Sequence, residues 1–224
     1  MIKGRRAKID QIVNTIKTRI SEINERYRSG PDLYFYKRII ELRNHSDSIQ
    51  SFLSSDYHME MLYATLVSWD MNSRAAKMKY FTEFKANILS NLGRLAELEN
   101  WERAGNLNSA AAISILRSIY DSLNVMKSGG KLVSNSKLLH FLFPNSYMPM
   151  DRNNTLRYFY GNTGESPNKY VEIIELSFEI MSMPEKWDTY LDNNWNTTVP
   201  KMIDNAIILL VGKSIRLVPG ETLS

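Results

Sequence analysis

Cysteine is absent from this 224-residue sequence. That excludes disulfides, thiolate catalysis and cysteine-ligated zinc or iron–sulfur centres, and it fits a reducing compartment. Histidine is scarce: His45, His58 and His140 are the only three, with no His-x-x-x-His or His-Glu spacing. No metal and no other cofactor is therefore expected. None of the ten glycines falls in a P-loop or dinucleotide-binding pattern, and no serine sits in a G-x-S-x-G elbow. No apolar run approaches the ~20 residues that span a membrane. The strongest, Ala206 to Val211, is short. The opening MIKGRRAKID is basic but lacks the apolar stretch of a signal peptide. A soluble cytoplasmic protein without a membrane partner is expected.

What is present reads as a globular chain. Hydrophobic residues make up 43% and charged residues 23%, which is ordinary for a folded domain and enough to bury a core. The net charge of +4 is unevenly spread. Residues 1–45 carry 11 Lys/Arg against 5 Asp/Glu. A second basic zone holds Lys127, Lys131, Lys137, Arg152 and Arg157 against Asp151 alone, whereas residues 158–211 hold 8 acids against 3 lysines. Two basic zones and one acidic face suit a polyanionic partner, and equally a solvated surface.

Helical periodicity dominates. Ile9, Val13, Ile16, Ile20, Ile23 and Tyr27 recur at spacings of four and three, which sets them on one stripe. Ser29-Gly30-Pro31 then breaks the chain. Further helices are predicted over about 31–44, 47–54, 57–69, 82–103, 109–127, 152–160, 168–181 and 200–212. The last is apolar all round and should be central. Strand-like alternation is confined to a short candidate over 215–218. The fold class expected is all-α: one domain over 1–224 of about eight to ten helices, with 1–29 a basic amphipathic helix packing on it.

Residues 134–161, SNSKLLHFLFPNSYMPMDRNNTLRYFYG, have the arrangement of a site. Ser134-Asn135-Ser136 before Lys137 reads as a helix start whose outward N–H groups suit a phosphate. Pro144 ends the apolar turns that follow, and Pro149 pre-sets an extended approach to Asp151. Arg152 and Arg157 flank that carboxylate.

Helix, tight turn, helix, extended loop and a Pro149-Met150-Asp151 opening resemble the helix-hairpin-helix DNA glycosylase superfamily over about Lys131 to Gly161. In that family a Gly-rich hairpin and helix precede a P-V-D-type loop, with an Arg in the helix beyond. The resemblance implies a DNA-interacting scaffold with DNA as partner and Asp151 as the catalytic carboxylate. Lys137 would stand near the lysine that bifunctional members use as a nucleophile. Lys131, Ser134, Asn135, Ser136, Arg152 and Arg157 would hold phosphates. Val133-Ser134-Asn135 stands where the family has hairpin glycines. The phrases LVSWDMNSRAAKMKYF and PKMIDNAIILL are also similar to those of uncharacterised prokaryotic proteins, which implies no activity.

Each residue also has a plain structural reading. Asp after Pro-X and before a helix is a common N-cap, and Lys137 in a first helical turn reads as a surface residue. His140 in an apolar run reads as a buried, hydrogen-bonded histidine. Tyr34, Phe35 and Tyr36 with Lys37 and Arg38 mix aromatic and basic groups as single-strand binders do, but the spacing also fits core plus rim. Trp69, Trp101, Trp187 and Trp195 read as packing residues. The alternatives to a glycosylase-like enzyme are a non-enzymatic helical binding module using the basic first helix, or an oligomerisation module using its apolar stripe.

Overall fold

Proline and small polar residues set many of the helix starts. In a computed structural model, residues 1–27, 30–72 and 77–215 are described (side chains to 212), and the strand candidate over 215–218 lies outside them beyond Ile215. Twelve α-helices and no strand occur among the described residues. α3 (Pro31–Asn44) begins on Pro31, and α11 (Pro167–Met181) begins on Pro167 behind a Ser166 cap. α4 (Ile49–Ser54), α5 (Asp56–Leu66) and α8 (Ala110–Ser122) start on serine caps.

Two predicted helices are split, which raises the number beyond the eight to ten expected. The first stripe is divided between α1 (Arg5–Arg19) and α2 (Glu22–Arg26). Its apolar phase continues through the break, so Ile20 and Ile23 stay buried. The 82–103 segment is divided at Asn91 into α6 (Phe81–Ser90) and α7 (Leu92–Arg103). Asn91 is buried; its amide donates to Asn87 O and its carbonyl accepts from Ser122 Oγ. Side-chain bonding to the backbone competes with the helix ladder and holds the bend.

Beyond α5 the chain widens into a π-type turn, Val67–Met71, that kinks at Trp69 and Asp70. Asp70 has φ +63°, in the left-handed region that Asp tolerates better than most side chains. Past α8 the backbone runs extended and Met126 pairs with Met78 in an isolated antiparallel bridge. α9 (Leu132–Leu142), the π-type turn Arg152–Leu156 and α10 (Arg157–Tyr160) follow.

α12 (Val199–Ile215) is the central helix the sequence predicts, buried from Pro200 to Leu209. It packs on α1, α11 and α10. The stripe of α1 therefore covers its own domain, and the basic first helix meets acids of the same chain: Arg5 pairs with Glu179 at 2.9 Å and Lys17 with Glu185 at 2.6 Å. The apolar face of α1 is thus buried within the fold, and part of its basic face is paired. Among the described residues no helix is long and apolar enough to cross a membrane.

Candidate active site

The π-type turn after α5, the middle of α9, the loop before Asp151 and the first turns of α12 converge on one pocket of about 190 Å³. Trp69, Asp70, Lys137, Asp151, Trp195, Lys201 and Asp204 are among the residues that line it. Its volume lies below the ~300–1,000 Å³ usual for small-molecule sites, so it suits a single ring system better than a whole cofactor.

Asp151 is an N-cap, as its sequence context suggests. Its Oδ1 accepts from Asn153 N at 2.7 Å, Asn154 N at 2.9 Å and Asn154 Nδ2 at 3.2 Å. Its own N–H donates to Thr155 Oγ1 at 2.9 Å. Among the described residues, all hydrogen bonds to the carboxylate run through Oδ1, which leaves Oδ2 uncommitted beside the pocket. Capping and chemistry are thus compatible in one residue.

Lys137 is not the surface lysine that its position in the sequence suggests. The surface it retains lines the pocket, and its ammonium sits among protein atoms, donating to Trp69 O at 2.7 Å. No ion pair reaches it among the described residues. Desolvation pushes its pKa below the usual lysine range, against the attraction of Asp151 and Asp204, while Lys201 pushes the same way as burial. A partly desolvated amine without an ion pair is the form of lysine that reacts as a nucleophile.

Lys201, Asp204 and Asn205 form a buried cluster on the first turns of α12. Lys201 Nζ donates to Asp204 Oδ2 at 2.7 Å and to Asn205 Oδ1 at 2.6 Å. It lies 5.3 Å from the Trp69 ring centroid and 5.9 Å from that of Trp195. Burial pushes the Asp204 carboxyl up, opposed by its partner Lys201. A neutral network backs this wall: Tyr36 hydroxyl bonds His140 Nε2 at 2.9 Å and Thr197 Oγ1 at 2.7 Å, and His140 Nδ1 donates to Tyr147 O at 2.8 Å. Burial lowers the His140 pKa to about 3, so the ring is neutral and structural.

The expected phosphate grip is corrected. α9 begins at Leu132, so Ser134, Asn135 and Ser136 lie inside it and are buried rather than capping an open end. Ser134 Oγ donates to Lys131 O, and Asn135 Nδ2 reaches Tyr120 O and Leu123 O. Ser136 acts as a positioning residue, because its hydroxyl accepts from Met150 N at 3.0 Å. That bond ties the residue before Lys137 to the residue before Asp151.

The anion at the start of α9 is the chain's own Glu165, whose Oε2 accepts from Lys131 N at 2.9 Å and Leu132 N at 3.1 Å. The other oxygen pairs with Arg152. Gly130 lies beside this pair, where an added Cβ would stand 2.1 Å from Arg152 Nη2 and make that side chain shift. Lys131 Nζ bonds Asp121 O, and Arg157 is exposed on α10. Glu165→Ala should therefore cost about 1–2 kcal/mol in urea denaturation, as two helix N–H groups and Arg152 lose their partner. A change within 0.3 kcal/mol (roughly the noise of a neutral surface substitution) would contradict that assignment.

Trp69, Trp195, Lys201 and Asp204 were not legible as site residues. One signal existed: Lys201, Asp204 and Asn205 at i, i+3 and i+4 put a charged pair on one face of an otherwise apolar helix. Comparison with family models, curated proteins and solved structures gives no match for this chain.

Proposed function

We propose that this protein acts on DNA as a base-excision N-glycosylase, with a nucleotide turned out of the stack into the Lys137–Asp151 pocket. The observation that carries this reading is the convergence of a half-buried lysine and a carboxylate on a pocket the size of one ring system, the amine without an ion pair and one carboxylate oxygen without a hydrogen bond among the described residues.

The chemistry follows from those groups. The glycosidic bond at C1′ is inaccessible in a duplex, so the nucleotide must leave the stack at a cost of a few kcal/mol. Trp69 and Trp195 offer aromatic surface to the extruded base. Lys201 has one hydrogen uncommitted and Asp204 Oδ1 has no partner among the described residues, giving a donor and an acceptor for the base edge. The lone pair of Lys137 Nζ attacks C1′ as the C1′–N bond breaks. The bonding pair leaves with the base, which takes up the proton that the alkylated amine gives up. The Asp151 carboxylate, which lines the same pocket, stabilises positive character building on the sugar. Loss of the amine proton and opening of the C1′–O4′ bond give the Schiff base, which water releases.

Asp151→Asn separates charge from capping, because asparagine is as good an N-cap as aspartate. The variant should melt as the native protein does and bind DNA comparably, while excision falls roughly 10²–10⁴-fold. Excision at the native rate would remove Asp151 from the chemistry.

A further inference from the structure

With α9 closed by Glu165 and Arg152 engaged there, the proposed activity needs phosphate contacts beyond the exposed Arg157. The Met78–Met126 bridge gathers an alternative. Lys79 N donates to Val125 O at 3.0 Å and Lys127 N to Lys77 O at 2.8 Å, so two short segments distant in sequence hold three lysines on one small ledge. None of the three has an ion pair among the described residues. Among the described residues, Lys77 Nζ donates only to Asn72 O, at 3.2 Å. Lys127 Nζ sits 3.6 Å over the Tyr80 ring, and Tyr80 is 70% exposed. The nearby carboxylate, Glu83, is engaged at the start of α6, where it accepts from Tyr80 N at 3.2 Å.

The ledge is anchored to the pocket. Asn72, which accepts from Lys77 through its carbonyl and from Met78 N through Oδ1, directly follows the turn that carries Trp69 and Asp70. From Lys127 the chain leads through Gly129 and Gly130 into α9 and Lys137. Unpaired cations beside a large exposed aromatic ring are the chemistry that grips a nucleic-acid strand: phosphates take the charge and an unpaired base takes the ring.

We propose that Lys77, Lys79, Lys127 and Tyr80 form the nucleic-acid backbone contact that delivers a nucleotide to the pocket. The proposal rests on the glycosylase-like reading of that pocket for its partner, and it assigns residues outside the pocket.

The test is binding of a labelled duplex with a tetrahydrofuran abasic-site analogue across a salt series. It compares the native protein with the triple variant Lys77→Gln/Lys79→Gln/Lys127→Gln and with Tyr80→Ala. Each lost phosphate contact lowers the slope of log K against log[salt] by about 0.9, so the triple variant should lose about 2–3 in slope and bind far more weakly at low salt. In the same series run with a labelled single strand, Tyr80→Ala should weaken binding roughly 5- to 150-fold, the effect of ~1–3 kcal/mol of stacking, and native single-strand affinity would remove Tyr80 from the contact. A native slope in the triple variant overturns the ledge, as does binding of the native protein to anionic phosphatidylserine vesicles but not to DNA. Asp151→Asn, run in parallel, separates the two readings: it should keep the native slope while losing excision. A triple variant with a native slope and intact excision refutes the ledge and leaves the pocket reading standing.

Discussion

Replacing Lys137 with methionine is expected to abolish every borohydride-trappable adduct with an abasic duplex while the protein still folds and binds that duplex. The amine is the group that forms the carbon–nitrogen bond, so no neighbouring residue substitutes for it at the same place. Adduct formation by the native protein should rise with pH and level off below the usual lysine range, because desolvation lowers the Lys137 pKa and the neutral amine is the reactive form. The stability effect has a defined sign. A folded-state pKa below the unfolded one means that the unfolded chain binds the proton more tightly. Lys137 thus costs stability below its folded pKa, and the cost is relieved as pH rises from the folded towards the unfolded value. Lys137→Met should consequently melt no lower than the native protein at neutral pH, a pattern typical of site residues that trade stability for function. A variant that melts well below the native protein would make Lys137 a packing residue.

Removing residues 1–29 is expected to leave no cooperatively folded protein. Ile9, Ile12, Val13, Ile16, Ile20 and Ile23 are all buried in the native fold. At about 1.5–3 kcal/mol per buried side chain their loss is on the order of 10 kcal/mol, comparable to the whole stability of a typical domain. Loss of the lid over α12 would also expose its apolar face to water. The measurement is a thermal melt followed by circular dichroism. A truncated chain that melts cooperatively near the native temperature would restore α1 as a separable module.

The legible parts of this fold are those whose cause is local. α3 and α11 begin on prolines, and both spans follow closely from sequence. The apolar run of α12 announced a central helix. The breaks were hidden because their cause is distant: the bend at Asn91 is held by Ser122, and the apolar phase runs straight through it. Ser134-Asn135-Ser136 misled for a related reason. Small polar residues signal a helix start, but here tertiary partners satisfy them inside the helix, among them Met150 N and Leu123 O. Asp151 could be singled out because its loop carries a proline signal. Lys137 could be named, but its burial could not be foreseen, since it depends on Trp69 across the fold. Lys201 and Asp204 join the pocket only because α12 threads the centre of the molecule, which no local pattern encodes.

The most direct test of the pocket's chemistry is to incubate the native protein with an abasic duplex and borohydride, then find the modified residue by peptide mass spectrometry. One major adduct is expected, on Lys137. An adduct confined to exposed lysines such as Lys77 or Lys127, or no adduct at all, would contradict a nucleophilic role for the buried amine.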